Sequence, residues 1–172
     1  MNKTQSGFTL VELVVVILIL GILSATALPR FMDVNTQAHQ AAVAGAAGGF
    51  GAGAALVRAQ WIANQELPGD DAVANFGASN VAVTTSNGGL AQAGWPTGTT
   101  GGNTITTDDE CVEIWQGIMQ NPPTIQAAGG GLDVDYDATQ TAVNTCSYAY
   151  NNDAGRSIVY SANTGGLTVT NP

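Results

Sequence analysis

Charged side chains are scarce in this chain of 172 residues, and positive ones are the scarcest. Only 10% of the residues are charged, with four lysines and arginines against 13 aspartates and glutamates; an average globular domain has about 25%. A formal net charge of −9 repels phosphate backbones and argues against nucleic acid binding. A surface built instead from Asn, Thr, Ser, Gly and Ala suits close packing of many copies, and equally suits secretion.

Residues that commonly carry out catalysis or hold cofactors are also rare. His39 is the single histidine, and Cys111 and Cys146 form neither a CxxC pair nor a zinc-ligand pattern. The chain has no glycine-rich phosphate-binding motif, and no serine or cysteine has a base partner in its sequence context. We therefore expect a protein that is not an enzyme and has no cofactor, with His39 as a solvent or interface residue.

Three alternating aspartates form the one pattern that suggests a metal. Asp133, Asp135 and Asp137 have the spacing of calcium ligands, but an EF-hand loop needs glycine where Ala138 stands and glutamate where Asn144 stands. We interpret the segment as a strand or turn whose acids face water. A weak calcium site is the alternative.

An apolar run from Phe8 to Leu28 follows a polar leader that ends at Gly7. A helix formed by this run of about 21 residues would rise about 30 Å, which matches the hydrocarbon thickness of a bilayer. Glu12 is the only charged residue in the run. A carboxylate costs about 2.5–3.5 kcal/mol at the middle of a membrane helix and less near its end, so such a charge usually has a partner.

Two simple explanations account poorly for this segment. A secretory signal peptide has about 7–15 apolar residues and then a small-residue cleavage site, whereas here the small residues Ser24–Ala27 lie inside the run. A plain membrane anchor explains the length, but it explains neither Glu12 nor the leader that stops at Gly7.

Four features stand together at the N-terminus: Gly7-Phe8, Thr9-Leu10-Val11-Glu12, Gly21 and Pro29. They resemble the signature of type IV pilins and pseudopilins. The resemblance implies that a prepilin peptidase cleaves between Gly7 and Phe8, that Phe8 is then N-methylated, and that Glu12 pairs with the N-terminal amine of a neighbouring subunit's Phe8. Pairing lowers the cost of two charges in a low dielectric; the alternative is that Glu12 reaches the lipid headgroups.

The resemblance also implies where the chain resides and with what it assembles. The amine of Met1 and Lys3 keep the leader cytoplasmic while the bulk of the chain crosses the membrane. The precursor waits in the bacterial inner membrane, and an assembly platform with a motor builds it into a helical homo-polymer, an extracellular pilus (fimbrium). In such filaments the stretch that matches Gly21 to Pro29 is often unwound, and Pro29 should kink the helix there in any case.

A second resemblance, to the mannose-sensitive haemagglutinin (MSHA) pilins, is found in three places: Ala59–Asn64, Cys111–Gln116 and the pair Pro122-Pro123. This second resemblance implies attachment to abiotic or cell surfaces, glycans among them, and growth of biofilms. Two alternatives stay open. One is a type II secretion pseudopilin, and the other is a membrane-anchored binding domain that does not polymerise.

The sequence predicts an α+β pilin fold in three parts: a leader, residues 1–7; one long helix, residues 8–64, kinked or partly melted near Gly21–Pro29; and an antiparallel β domain, residues 65–172. Leu67-Pro68-Gly69 should end the helix. Gly45, Gly49 and Gly53 fall four apart on it, a pattern that lets backbones approach closely. We expect this stripe to contact the sheet or neighbouring helices; a weak, flexible helix is the alternative.

Within the β domain, Thr107-Asp108-Asp109-Glu110 predicts the start of a short helix that ends before Pro122-Pro123. Alternation from Cys146 to Tyr150, with two later β-like runs, predicts an antiparallel meander. In a domain exported from the cell, two cysteines favour one disulfide, Cys111–Cys146, over two free thiols.

Overall fold

The computed structural model describes residues 7–64, 72–77, 79–85, 93–100 and 102–172, except the side chains of Met32, Asn75 and Ser79. The fold is α+β, as the sequence predicts: one long helix precedes a β-rich region. The chain divides into two compact units, Met1–Ala38 and His39–Pro172. Most of the predicted leader and the predicted helix stop at residues 67–69 lie outside the described residues.

The long helix, α1, comprises the 54 residues Leu10–Ala63. It is helical without a break through Gly21 and Pro29, so melting of that stretch is not a feature of the single subunit and stays a prediction about the filament. In the part of the chain that the structure describes, α1 is the one helix long and apolar enough to cross a membrane, and its apolar stretch is not buried within the chain.

A small antiparallel sheet follows α1. It has three strands in sequence order, β1 (Ala72–Phe76), β2 (Ser79–Val83) and β3 (Pro96–Gly98). Val73, Val81 and Val83 from this sheet are buried in the core. The small sheet therefore contributes buried apolar side chains to the core of the second unit.

The second helix, α2, comprises Asp108–Ile118 and begins where the sequence predicts. Thr107 accepts a hydrogen bond from the Glu110 N–H, and the Glu110 side chain accepts one from the Thr107 N–H, which is a complete capping box. Cys111, Ile114, Trp115 and Ile118 are buried. These positions recur at helical spacing, so one face of α2 packs into the core.

A five-stranded sheet completes the second unit. In spatial order its strands are β4 (Ile125–Ala127), β5 (Tyr136–Ala142), β6 (Thr145–Tyr150), β7 (Ser157–Ser161) and β8 (Gly166–Thr170). The predicted meander is confirmed in β6–β8. The sheet is mixed rather than purely antiparallel, because β4 pairs in parallel with β5.

The core of the second unit forms where α1, α2 and the large sheet meet. Phe50 of α1 contacts the rings of Trp115, Tyr148 and Tyr160, with ring centroids 5.0–5.8 Å apart. The Cys111–Cys146 disulfide links α2 to β6, with Cα atoms 5.7 Å apart. Both cysteines are fully buried, so the predicted disulfide is a core link.

The glycine stripe of α1 approaches a partner only at one end. A Cβ at Gly53 would collide with the backbone carbonyl of Ile118 in α2, and one at Gly49 would lie 3.7 Å from Met119 Sδ. A Cβ at Gly45 would meet nothing within 4 Å. The close contact is therefore made with α2 rather than with the sheet.

Candidate assembly site at the start of the long helix

Thr9 and Glu12 form a reciprocal hydrogen-bonded pair at the start of α1. Glu12 Oε2 accepts bonds from the Thr9 backbone N–H and from Thr9 Oγ1, both at 2.8 Å. In return, Thr9 Oγ1 accepts a bond from the Glu12 backbone N–H at 3.2 Å. A threonine followed three residues later by glutamate is the sequence form of a capping box, and it starts the helix at Leu10.

This pair lies at the head of an exposed apolar surface. Glu12 is the only charged side chain between Phe8 and Leu28, and the flanking apolar residues are 46–91% exposed. They are Phe8, Leu10, Val11, Leu13, Val14, Val15, Val16, Ile17, Leu18, Ile19, Leu20, Ile22, Leu23 and Leu28. An apolar surface this continuous needs lipid or another protein to cover it.

The remaining predicted assembly residues all lie on or just before α1. Gly7 and Phe8 are exposed and precede the helix, while Gly21 and Pro29 lie within it. A Cβ at Gly21 would meet nothing within 4 Å, so packing inside this chain does not account for that glycine. Cleavage, N-methylation and the intersubunit pairing of Glu12 stay predictions.

Each of the two segments that resemble MSHA pilins places a tryptophan in the core. Ala59–Asn64 contains the end of α1, where Trp61 is fully buried. Cys111–Gln116 lies in α2, where the buried Trp115 donates from Nε1 to the Pro123 carbonyl at 3.0 Å. These tryptophans stabilise the fold of the subunit and are not placed to touch an external surface.

His39 lies half-buried at the start of the second unit. Its Nδ1 is 3.1 Å from the hydroxyl of Tyr150, and the two rings meet edge to face with centroids 5.7 Å apart. The sequence predicts a solvent or interface residue here. Within the single subunit, His39 links α1 to β6 through Tyr150, and a role at an interface stays a prediction.

The three alternating aspartates have different surroundings. Thr124 donates to Asp135 from its hydroxyl at 2.7 Å and from its backbone N–H at 3.1 Å, and these bonds hold the Asp135 pKa below its usual value. Asp137, in β5, accepts from Gln126 at 2.7 Å. Within the described ranges, no three His, Cys, Asp or Glu side chains come together in a way that could hold a metal.

Sequence reasoning missed two polar contacts that the structure makes plain. Thr9 is the local partner of Glu12, and the Thr-x-x-Glu pattern, which Thr107 and Glu110 also have, could have found it. Glu113 accepts bonds from the N–H groups of Thr99 and Thr100 and from the Thr100 hydroxyl at 2.7–3.0 Å. No sequence signal marks that second contact, because its partners are 13 and 14 residues away.

Comparison with known proteins places the similarity at the N-terminus. The family described as the prokaryotic N-terminal methylation motif matches residues 2–28. Over 37 residues, the chain is 62% identical to the type IV narrow pilus major component of Thermus thermophilus. These residues make up 22% of this chain and 32% of that protein. Over 39 residues, the chain is 55% identical to a type IV major pilin protein of Neisseria gonorrhoeae. That match covers 23% of this chain and 24% of the pilin.

A fimbrial protein of Eikenella corrodens is 43% identical over 49 residues, which is 28% of this chain and 32% of that protein. The chain thus matches about a third or less of the length of these relatives, and no solved structure matches it. The motif and the apolar helix fit an inner-membrane precursor that becomes part of an extracellular pilus. At its N-terminus the chain carries the prokaryotic N-terminal methylation motif and is similar to type IV pilins.

Proposed function

We propose that this chain is a structural, non-enzymatic subunit of a type IV pilus. A prepilin peptidase removes the leader between Gly7 and Phe8, Phe8 is N-methylated, and the subunit joins a helical filament through α1. One observation supports this most directly. The first half of α1 is apolar and exposed, and its only charge up to Leu28 is Glu12, at the N-terminal end.

The exposed half of α1 needs a non-aqueous environment both before and after assembly. Moving one Val, Leu, Ile or Phe side chain out of water is favourable by about 1.5–3 kcal/mol. Lipid and a filament core both supply that gain, so exchanging one for the other is nearly neutral for the apolar side chains. Leaving the membrane therefore needs work from a motor, together with a contact that is made only in the filament.

Glu12 supplies that contact in our proposal. Cleavage after Gly7 gives Phe8 a free amine, which is positive at neutral pH. An isolated carboxylate and an isolated amine are both costly in a low dielectric, and pairing them lowers the cost for both. Because Glu12 sits at one fixed position on a rigid helix, the pair also fixes the axial offset between neighbouring subunits.

At a finer level, we infer an MSHA-type pilus used for surface attachment and biofilm growth. The two MSHA-like segments support this, although their tryptophans are buried and say nothing about the surface that is bound. A type II secretion pseudopilin is the second candidate. The buried Cys111–Cys146 link and the Gly-, Thr- and Asn-rich composition favour a pilus over a pseudopilin.

Substitution of Glu12 tests the assembly proposal. We expect Glu12→Ala to abolish filaments in the sheared fraction of cells, while the cleaved subunit still accumulates in the inner membrane. Asp109→Ala is the matched control, since it removes an exposed carboxylate from α2, outside the apolar segment. Electron microscopy and immunoblotting of both fractions give the result, and wild-type filament levels in Glu12→Ala cells would contradict the proposal.

The place of recovery separates the two candidates. A pilus subunit should be released from intact cells by shearing. A pseudopilin should stay in the periplasm and membranes under the same treatment.

A further inference from the structure

The hydrogen bonds around Glu12 are distributed unequally between its two carboxylate oxygens. Oε2 accepts from the Thr9 N–H and from the Thr9 hydroxyl, both at 2.8 Å. Among the residues that the structure describes, no donor reaches Oε1. Oε2 is therefore satisfied within the subunit, whereas Oε1 of this exposed side chain keeps its capacity to accept a hydrogen bond from a partner.

The same contacts fix the direction of the side chain. Thr9 Oγ1 accepts from the Glu12 backbone N–H at 3.2 Å while it donates to Oε2. The threonine thus contacts Glu12 at both its backbone and its carboxylate. A glutamate side chain otherwise has several rotamers, and losing that freedom on assembly would weaken the contact with a partner.

Cleavage of the leader leaves these groups in place. The bond that we propose is cut joins Gly7 to Phe8, and Thr9 is one residue further on. The Thr9 N–H belongs to the peptide bond with Phe8, and the hydroxyl is on its own side chain. Both donors to Oε2 therefore persist in the mature subunit, next to its new amine.

We propose that Thr9 is a positioning residue for assembly. It holds Oε2 of Glu12 on the subunit's own helix start and leaves Oε1 available to accept a hydrogen bond from the N-terminal amine of a second copy of this chain. This inference rests on the proposed function, because it assigns the geometry of the same Glu12–amine contact. The simpler role for Thr9 is to cap the helix, which would matter equally with or without the Glu12 carboxylate.

Competition between variant and wild-type subunits in one cell tests the positioning role. Each variant is co-expressed with the wild type, and mass spectrometry measures its share in sheared filaments relative to its share in the membrane pool. We expect Thr9→Val to be depleted about fivefold in filaments, the effect of a typical lost cap contact. Thr9→Ser, which keeps the hydroxyl, should be incorporated within about twofold of the wild type.

Thr26→Val is the matched control. Thr26 lies in the same apolar segment and donates from its hydroxyl to the Leu23 carbonyl at 3.0 Å, so the substitution makes the same chemical change away from Glu12. It should be incorporated like the wild type. Equal incorporation of Thr9→Val and Thr26→Val would overturn the inference.

A double variant separates positioning from capping. The Glu12→Ala chain still has a backbone N–H at position 12 for Thr9 to cap. An excess of the variant over the wild type keeps the Glu12→Ala chain measurable in filaments that the wild-type subunits build. Under the positioning role, adding Thr9→Val to Glu12→Ala should then deplete the subunit no further, because Thr9 acts through the missing carboxylate. A further depletion of about fivefold would assign Thr9 to capping alone.

The proposed function can fail separately in this experiment. If Glu12→Ala is incorporated like the wild type, the Glu12–amine contact itself is wrong. If Glu12→Ala is depleted while Thr9→Val is not, the assembly proposal stands and only the role of Thr9 is wrong.

Discussion

Single residues set how closely the elements of the second unit approach one another. Gly53 lies where α1 touches α2, and a side chain there would collide with the Ile118 carbonyl. Gly45, two turns earlier on the same stripe, faces open space. The sequence marks both as small residues at one spacing, but only the fold distinguishes the one that needs to be small.

These two glycines give a prediction at the residue scale. Gly53→Ala should lower the free energy of unfolding by about 1–3 kcal/mol, because α2 must shift to admit the methyl group. Gly45→Ala should raise it by about 0.5–1 kcal/mol, because alanine has the higher helix propensity. Urea unfolding of the detergent-solubilised chain measures both values, and equal effects of the two substitutions would contradict the packing that we describe.

At the scale of elements, sequence patterns found those structures that depend on local signals. The apolar run predicted α1, and Thr107 with the three acids that follow it, ahead of Pro122-Pro123, predicted α2. Side-chain alternation predicted β6–β8. The parallel strand β4 was not predicted, because three residues are too few to show a period. Hydrogen bonds between Thr124 and Asp135, eleven positions apart, help to pair it with β5.

Glu113 ties the Thr99–Thr100 loop to α2 and should make this contact sensitive to pH. Burial raises the Glu113 pKa, and the hydrogen bonds from Thr99 and Thr100 lower it. The hydrogen bonds together outweigh burial, so the Glu113 pKa lies below its usual value of 4.5. A carboxyl whose pKa is lowered by folding contributes stability above its unfolded pKa. That contribution is lost as the pH falls from about 4.5 through the lower, folded value.

We therefore expect wild-type stability to fall over this acid range, and we expect Glu113→Gln to lose part of that pH dependence. Asp109→Asn removes the same charge from an exposed position of α2 and serves as the control. Urea midpoints measured from pH 3 to pH 6 give the comparison. Identical pH profiles for Glu113→Gln and the wild type would show that the loop contact does not depend on the carboxylate.

At the scale of the whole molecule, our proposal gives the two units different roles in a filament subunit. The unit that includes α1 up to Ala38 presents a continuous apolar surface from Phe8 to Leu28, in which Glu12 is the only charged residue. The unit from His39 onward buries both cysteines and most of the aromatic residues that the structure describes there. Sequence reasoning predicts assembly roles for Gly7, Phe8 and Glu12 because they belong to a contiguous motif, whereas it predicts no surface-binding residues, since these follow no motif.

The intact mass of the chain in material sheared from the cell surface tests the central claim most directly. Our account predicts a chain that lacks Met1–Gly7, is heavier by one methyl group and is lighter by two hydrogens. That one value would report cleavage, N-methylation and the Cys111–Cys146 disulfide together. A full-length, unmethylated chain confined to membranes would contradict the account and leave the apolar helix as a membrane anchor only.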